Sequence, residues 1–269
     1  MSNRITELFQ RQADSNEGLL NVYFTAGFPQ LDDTRTILAA LARAGADLVE
    51  IGMPYSDPVA DGETIQASNQ KALDNGMTVH YLLKQLKGMR KELTIPVLLM
   101  GYFNPIVQYG VEKFCADAAA AGVDGLILPD LPLEEYTRQY KETFERHGLL
   151  NIFLITPQTR TERIREIDQA GSGFIYMVSS ASVTGSKTGV SDGMEAYFER
   201  INEMNLKNPR LIGFGIKDRQ SFKKAAGYAS GAIIGSAFIR AIEQSLDLEK
   251  DINSFVSSIK PNNQEVMSV

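Results

Sequence analysis

Short apolar runs alternate with amphipathic runs along nearly the whole chain. Asn21–Ala26 (NVYFTA) is β-branched and aromatic and closes on Gly27 and Pro29. Thr34–Ala44 follows with Ile37, Leu38 and Leu41 at helical spacing and stops at Gly45. The same alternation predicts further strands at Asp47–Gly52, Pro96–Met100, Asp124–Leu128, Asn151–Ile155, Gly173–Val178, Arg210–Gly213 and Gly231–Ile234. Between and after them it predicts helices at Glu63–Asn75, Val79–Lys91, Val111–Ala121, Leu133–His147, Thr161–Ala170, Met194–Asn205, Asp218–Ala226, Ser236–Gln244 and Leu248–Lys260. An additional amphipathic helix precedes the first strand within Met1–Gln12.

Strands that are apolar almost continuously are strands covered on both faces, and strand–helix–strand alternation implies parallel pairing with right-handed crossovers. Eight such units close into a (β/α)8 barrel, the TIM barrel, here with an N-terminal extra helix. An open doubly wound sheet is the competing architecture, but no G-x-G-x-x-G follows the first strand. The length of 269 residues suits one barrel domain, and no Pro- or Ser-rich linker divides it. The polar tail Pro261–Val269 is expected to fray.

Charge and cysteine content narrow the function classes. A net charge of −6, with 27 basic and 33 acidic residues and no basic stripe, argues against a nucleic-acid backbone as partner. An anionic small molecule is still open to it through backbone N–H groups at a helix start. Cys115 is the one cysteine and lies among alanines, which reads as a small core residue. No apolar run reaches the roughly 18 residues of a membrane helix, and no signal-peptide region is evident, so a cytoplasmic protein is expected. His80 and His147 lack metal-type spacing to other ligands and read as surface or capping residues; no metal site is expected.

In a barrel of this kind chemistry sits at the C-terminal strand ends and in the loops that follow. If Val49 and Ile51 point outward, Glu50 points into the barrel, where a lone carboxylate is costly. A raised pKa there would suit it to moving protons near neutrality, although a buried hydroxyl or strand-end amide could also satisfy it. Asp57 and Asp61 follow in a loop stiffened by Pro54 and Pro58; Asp61 could equally cap the helix starting near Glu63. Gly213-Phe214-Gly215-Ile216 follows the seventh strand and Gly235-Ser236 the eighth, the recurrent phosphate position of this fold. The loop from Ser179 to about Gly193 has the polar, glycine-bearing composition of a lid.

The segment Glu50-Ile51-Gly52-Met53-Pro54-Tyr55-Ser56-Asp57-Pro58-Val59-Ala60-Asp61-Gly62 resembles the signature of tryptophan synthase alpha subunits. The likeness extends through Tyr23-Phe24-Thr25-Ala26-Gly27, Met100-Gly101-Tyr102-Phe103-Asn104-Pro105, Leu128-Pro129-Asp130-Leu131-Pro132, Val183-Thr184-Gly185, Gly213–Ile216 and Gly235-Ser236. It implies cleavage of indole-3-glycerol phosphate to indole and glyceraldehyde 3-phosphate. Glu50 would be the general acid/base and Asp61 the carboxylate against the indole N–H. Tyr23, Ile65, Tyr102, Tyr176, Phe214 and Ile233 would line the indole pocket. Gly185, Gly215, Gly235 and Ser236 would hold the phosphate, and Thr184 would close the lid toward Asp61.

The resemblance also implies a partner, the beta subunit, in an αββα heterotetramer. That subunit would carry the pyridoxal phosphate, this chain needing no cofactor, and Pro54, Asp57, Pro58, Asn104 and Pro132 would face it. The sequence departs from the family pattern at Glu63, where many members have proline. It departs again at Ser179–Ser182, where others often carry arginine, and at Tyr23, where phenylalanine is common. A different phosphate-binding barrel isomerase, or a largely non-catalytic activator of a beta partner, are the alternative functions.

Overall fold

The computed structural model describes residues 3–12, 17–57, 61–179, 192–213 and 215–261. Eight parallel strands form a closed barrel in sequence order: β1 (Leu19–Thr25), β2 (Leu48–Gly52), β3 (Val97–Met100), β4 (Gly125–Ile127), β5 (Leu150–Ile155), β6 (Ile175–Val178), β7 (Arg210–Gly213) and β8 (Gly231–Ile234). The helices are α1 (Arg4–Gln12), α2 (Asp33–Ala44), α3 (Glu63–Asp74), α4 (Val79–Leu86), α5 (Phe103–Tyr109), α6 (Val111–Ala121), α7 (Leu133–Glu135), α8 (Lys141–Arg146), α9 (Thr161–Ala170), α10 (Asp192–Glu203), α11 (Arg219–Ala226), α12 (Ser236–Ile242) and α13 (Leu248–Ile259). The expected barrel and its extra helix are thus borne out. No described helix is long and apolar enough to cross a membrane.

Strand alternation sorts the side chains into two apolar layers. Leu19, Leu48, Leu98, Ile127, Ile152, Phe174, Leu211 and Ile233 fill the barrel interior. Val22, Val49, Ile51, Val97, Leu99, Leu126 and Ile212 face the helices. Helix α2 shows how the outer layer is made. Ile37, Leu38 and Leu41 fall on one stripe and are wholly buried, each contributing about 1.5–3 kcal/mol of transfer free energy. The helix ends where Gly45 takes φ 100° and its N–H bonds back to the Ala42 carbonyl.

Helix α1 closes the N-terminal end of the barrel. Ile5 and Phe9 insert into the inner layer, with the Phe9 and Phe174 rings 5.6 Å apart. Arg4 holds the helix down through a 2.8 Å ion pair to Asp124, a buried carboxylate that also binds Arg90 and accepts from the Val97 N–H. A concavity of about 870 Å³ lies at this same end, around α1 and the starts of β1 and β7. It sits on the face where this fold keeps stability rather than chemistry.

Two predicted helices differ in detail. The helix expected over Val79–Lys91 stops at Leu86, because Gly88 takes φ 77° and only a 3-10 turn, Met89–Lys91, follows. The run Leu133–His147 is helical but widens into a π-helical turn at Tyr136–Tyr140. Helix α5 was not foreseen. The lid expected between Ser179 and Gly193 falls almost wholly outside the described residues.

Candidate active site

Glu50 points into the barrel, as the outward placement of Val49 and Ile51 requires, and it is completely buried. Its Oε1 accepts a hydrogen bond from Asn21 Nδ2 at 2.5 Å. Its Oε2 has no partner among the described residues. Burial pushes its pKa up to about 8, with the Asn21 N–H pulling weakly the other way. A carboxyl poised so can give and recover a proton near neutrality.

Asp61 lies in the loop between β2 and α3. The helix-capping role open to it is not taken up: Gly62 is the N-cap of α3 and no side chain caps that end. Asp61 lines the cavity at the C-terminal mouth instead, and burial raises its pKa. Its backbone carbonyl accepts from Gln66 Nε2 at 2.7 Å, tying the loop to the first turn of α3.

Two tyrosines cross the mouth where glycine makes room. A Cβ built on Gly52 would lie 2.1 Å from the Tyr23 hydroxyl oxygen, and one on Gly213 would lie 2.3 Å from that of Tyr176. Glycine at these strand ends is therefore what lets the rings lie flat over β2 and β7. Burial first, then Asp61 for Tyr23 and Glu50 for Tyr176, holds both phenols well above their ordinary pKa. They remain neutral.

Thr25 Oγ1 lies 2.7 Å from Ser68 Oγ. Ser68 donates to the Ile65 carbonyl at 2.8 Å. A carbonyl can only accept, so Ser68 uses its proton there and Thr25 donates to Ser68.

Two cavities meet at Tyr23, Asp61 and Met100. The first, about 90 Å³, is lined by the expected Tyr23, Ile65, Tyr176, Gly215, Ile233, Gly235 and Ser236, together with Ile216. Gly215 takes φ 76°, and Gly235 opens α12. The second, about 340 Å³, extends toward Met53, Asn69, Tyr102 and Thr156. Phe214, Thr184, Gly185 and Pro58 lie outside the described residues.

The residues expected at a partner face lie on neighbouring loops at the same end of the barrel. Asp57, Asn104 and Pro132 are exposed and Pro54 is half-buried. The loop bearing Pro54 touches the cavity through Tyr55, whose ring packs on Tyr102 at 4.9 Å. Asp130 joins the third and fourth loops by accepting from the Phe103 N–H at 2.9 Å.

Sequence reasoning missed Asn21, Met100, Asn69 and the Thr25–Ser68 pair. Asn21 carried a usable signal: it is two residues from Tyr23, on the same strand face, and polar within an apolar run. Elsewhere the modest readings hold. Cys115 is buried, His80 packs on Tyr109, and His147 contacts Glu112 at 2.8 Å. Among the described residues no cluster of His, Cys, Asp and Glu could hold a metal ion.

Known proteins share this arrangement over the chain's whole length. The family model for the tryptophan synthase alpha chain matches residues 9–267. The tryptophan synthase alpha chain of Christiangramia forsetii is 54% identical over 258 residues, covering 96% of this chain and 98% of that protein. The crystal structure of the Legionella pneumophila alpha chain superposes with a TM-score of 0.88 at 32% identity, covering 100% of both chains. A chain of the tryptophan synthase complex from Pyrococcus furiosus gives a TM-score of 0.80 at 32% identity, over 90% of this chain and 97% of that one. Matched by this family model over most of its length and by relatives of this identity, the chain belongs to the tryptophan synthase alpha chain family.

Proposed function

We propose that this chain cleaves indole-3-glycerol phosphate to indole and D-glyceraldehyde 3-phosphate, with Glu50 carrying the protons and Asp61 steadying the charge on the ring. The observation that carries the reading is Glu50: a fully buried carboxyl whose second oxygen has no partner among the described residues, its pKa pushed up to about 8, paired in register with Tyr23, which lines a cavity with Asp61. Protonated Glu50 gives its proton to indole C3, which makes the ring nitrogen positive. The Asp61 carboxylate accepts a hydrogen bond from the indole N–H and stabilises that charge as it develops. Glu50, now ionised, takes the proton of the glycerol hydroxyl next to the ring. The C–C bond breaks, its electron pair returns to the indole, and the hydroxyl carbon becomes the aldehyde. Glu50 ends protonated, as it began. The indole is the electron sink, so the chain needs no cofactor of its own.

Tyr23, Ile65, Tyr102, Tyr176, Phe214 and Ile233 hold the ring in this reading. Gly185, Gly215, Gly235 and Ser236 hold the phosphate through backbone N–H groups and the start of α12. Thr184 closes over Asp61. Pro54, Asp57, Pro58, Asn104 and Pro132 meet a beta subunit that carries pyridoxal phosphate and receives the indole, in an αββα assembly. The chain works as one domain, in the cytoplasm.

The test is to incubate the purified chain with indole-3-glycerol phosphate, with and without a beta subunit, and measure indole and glyceraldehyde 3-phosphate. Both products are expected, formed faster with the beta subunit. No product in either mixture, with turnover of another sugar phosphate, overturns the reading in favour of a barrel isomerase. No product without any such turnover, but activation of the beta subunit, leaves a binding role instead.

A further inference from the structure

Asn21 occupies a position where packing calls for an apolar side chain. It points into the barrel one layer below the reacting groups, between Leu48 on β2 and Ile233 on β8, and is completely buried. Its Nδ2 donates to Glu50 Oε1, while its Oδ1 and the second Glu50 oxygen have no partner among the described residues. An amide buried with half its hydrogen-bonding capacity unused is a standing desolvation cost that a leucine would remove.

What an amide offers here, and a leucine or a lysine does not, is both a donor and an acceptor at the end of one side chain. In the orientation seen, the Nδ2–H matches an ionised carboxylate. Turned over about its last bond, the amide places Oδ1 in the same position, where it matches a protonated carboxyl. A group that passes between acid and base within one turnover needs a neighbour that suits both forms.

We propose that Asn21 is a positioning residue for Glu50, holding the carboxyl in one place in both of its protonation states. The proposal rests on Glu50 being the proton carrier described above. Asn21 touches no substrate atom; it acts through Glu50. Among the described residues, the titratable groups facing Glu50 are Tyr23 from β1, Tyr176 from β6 and Asp61 from the loop after β2. The inward residues of β3, Leu98 and Met100, carry none. Both phenols stay neutral throughout, so of these groups Glu50 and Asp61 are the ones that titrate.

The sign follows from the donor. Removing the Nδ2–H withdraws a bond that favours the carboxylate, so Asn21→Leu should move the Glu50 midpoint upward, by about one unit. With protonated Glu50 starting the reaction, the alkaline limb of kcat moves up by the same amount. The plateau kcat falls about ten-fold, because the carboxylate formed midway is less well held, and KM stays near its original value.

The test pairs this profile with a carbon-13 titration of the full chain labelled at glutamate carboxyls, the Glu50 signal being assigned by its absence in Glu50→Gln. An upward move of both limb and signal supports the proposal. A lower kcat with limb and signal unmoved shows a packing role only and overturns it, as does no change at all. If Asn21→Leu fails to fold by circular dichroism, Asn21→Val carries the same measurement. A moved signal in a chain that never cleaves indole-3-glycerol phosphate would retain the Asn21–Glu50 coupling while removing the function it was placed in.

Discussion

Asp124 and Glu50 are both carboxyls buried in the barrel wall, one at its N-terminal end and one toward its mouth. Asp124 is 3% exposed and fully engaged, by Arg4, by Arg90 and by the Val97 N–H. Glu50 is 0% exposed and, among the described residues, has a single neutral donor and one oxygen without a partner. A buried charge is tolerable when its partners replace the lost water; left unpaired, it shifts its pKa and stays neutral. The first arrangement fixes a helix across the bottom of the barrel. The second holds a proton beside Tyr23, which lines the cavity at the mouth. The same residue class thus serves structure or chemistry according to how completely its neighbours satisfy it.

Exchanging each charge for an amide breaks the comparison in opposite ways. Glu50→Gln keeps the shape but holds no transferable proton, so kcat for indole-3-glycerol phosphate should fall by about a thousand-fold while the fold persists. Near-wild-type turnover would remove Glu50 from the chemistry. Asp124→Asn should do the reverse. It leaves the part-buried Arg90 without its counter-charge and should lower unfolding free energy by about 3 kcal/mol in a denaturant titration, with kcat of the folded protein little changed. Equal stability would show that the bottom cluster does not hold α1 in place.

A smaller effect sharpens the picture of the mouth. A side chain on Gly235 points toward the Tyr23 ring, with Cβ 3.4 Å from Tyr23 Cδ1. Gly235→Asp therefore sets a negative charge beside the proposed phosphate position, and KM should rise about ten-fold with a lesser change in kcat. An unchanged KM would move the phosphate elsewhere.

The barrel was legible in the sequence because eight runs switch repeatedly between the two hydrophobic periods, and the glycines that end α2 and α6 stand where the helices stop. Glu50 was legible for a related reason: a charged residue inside an apolar strand has no bland place to go. Helix α5 was hidden by Gly101 and Pro105, which read as breakers. Proline is tolerated in a first turn, and the cap comes from Asp130 on the next loop, a contact between segments distant in sequence. Asn21 was hidden likewise. Its partner lies on another strand, and only the register that sets Tyr23 beside Glu50 reveals it. The break at Gly88 was visible as a glycine, but an isolated glycine within a helical pattern does not state its φ.

The pH dependence of kcat tests the central claim most directly, that a proton held on Glu50 starts the reaction. With a pKa raised to about 8, Glu50 is protonated at neutrality. The rate should hold level through neutral pH and then fall about ten-fold for each further unit above about 8, as the carboxyl ionises before substrate is turned over. The phenols of Tyr23 and Tyr176 titrate too high to produce that limb. A rate that stays level or climbs through about pH 9 would contradict the account, because the group that begins the reaction would then not be this carboxyl.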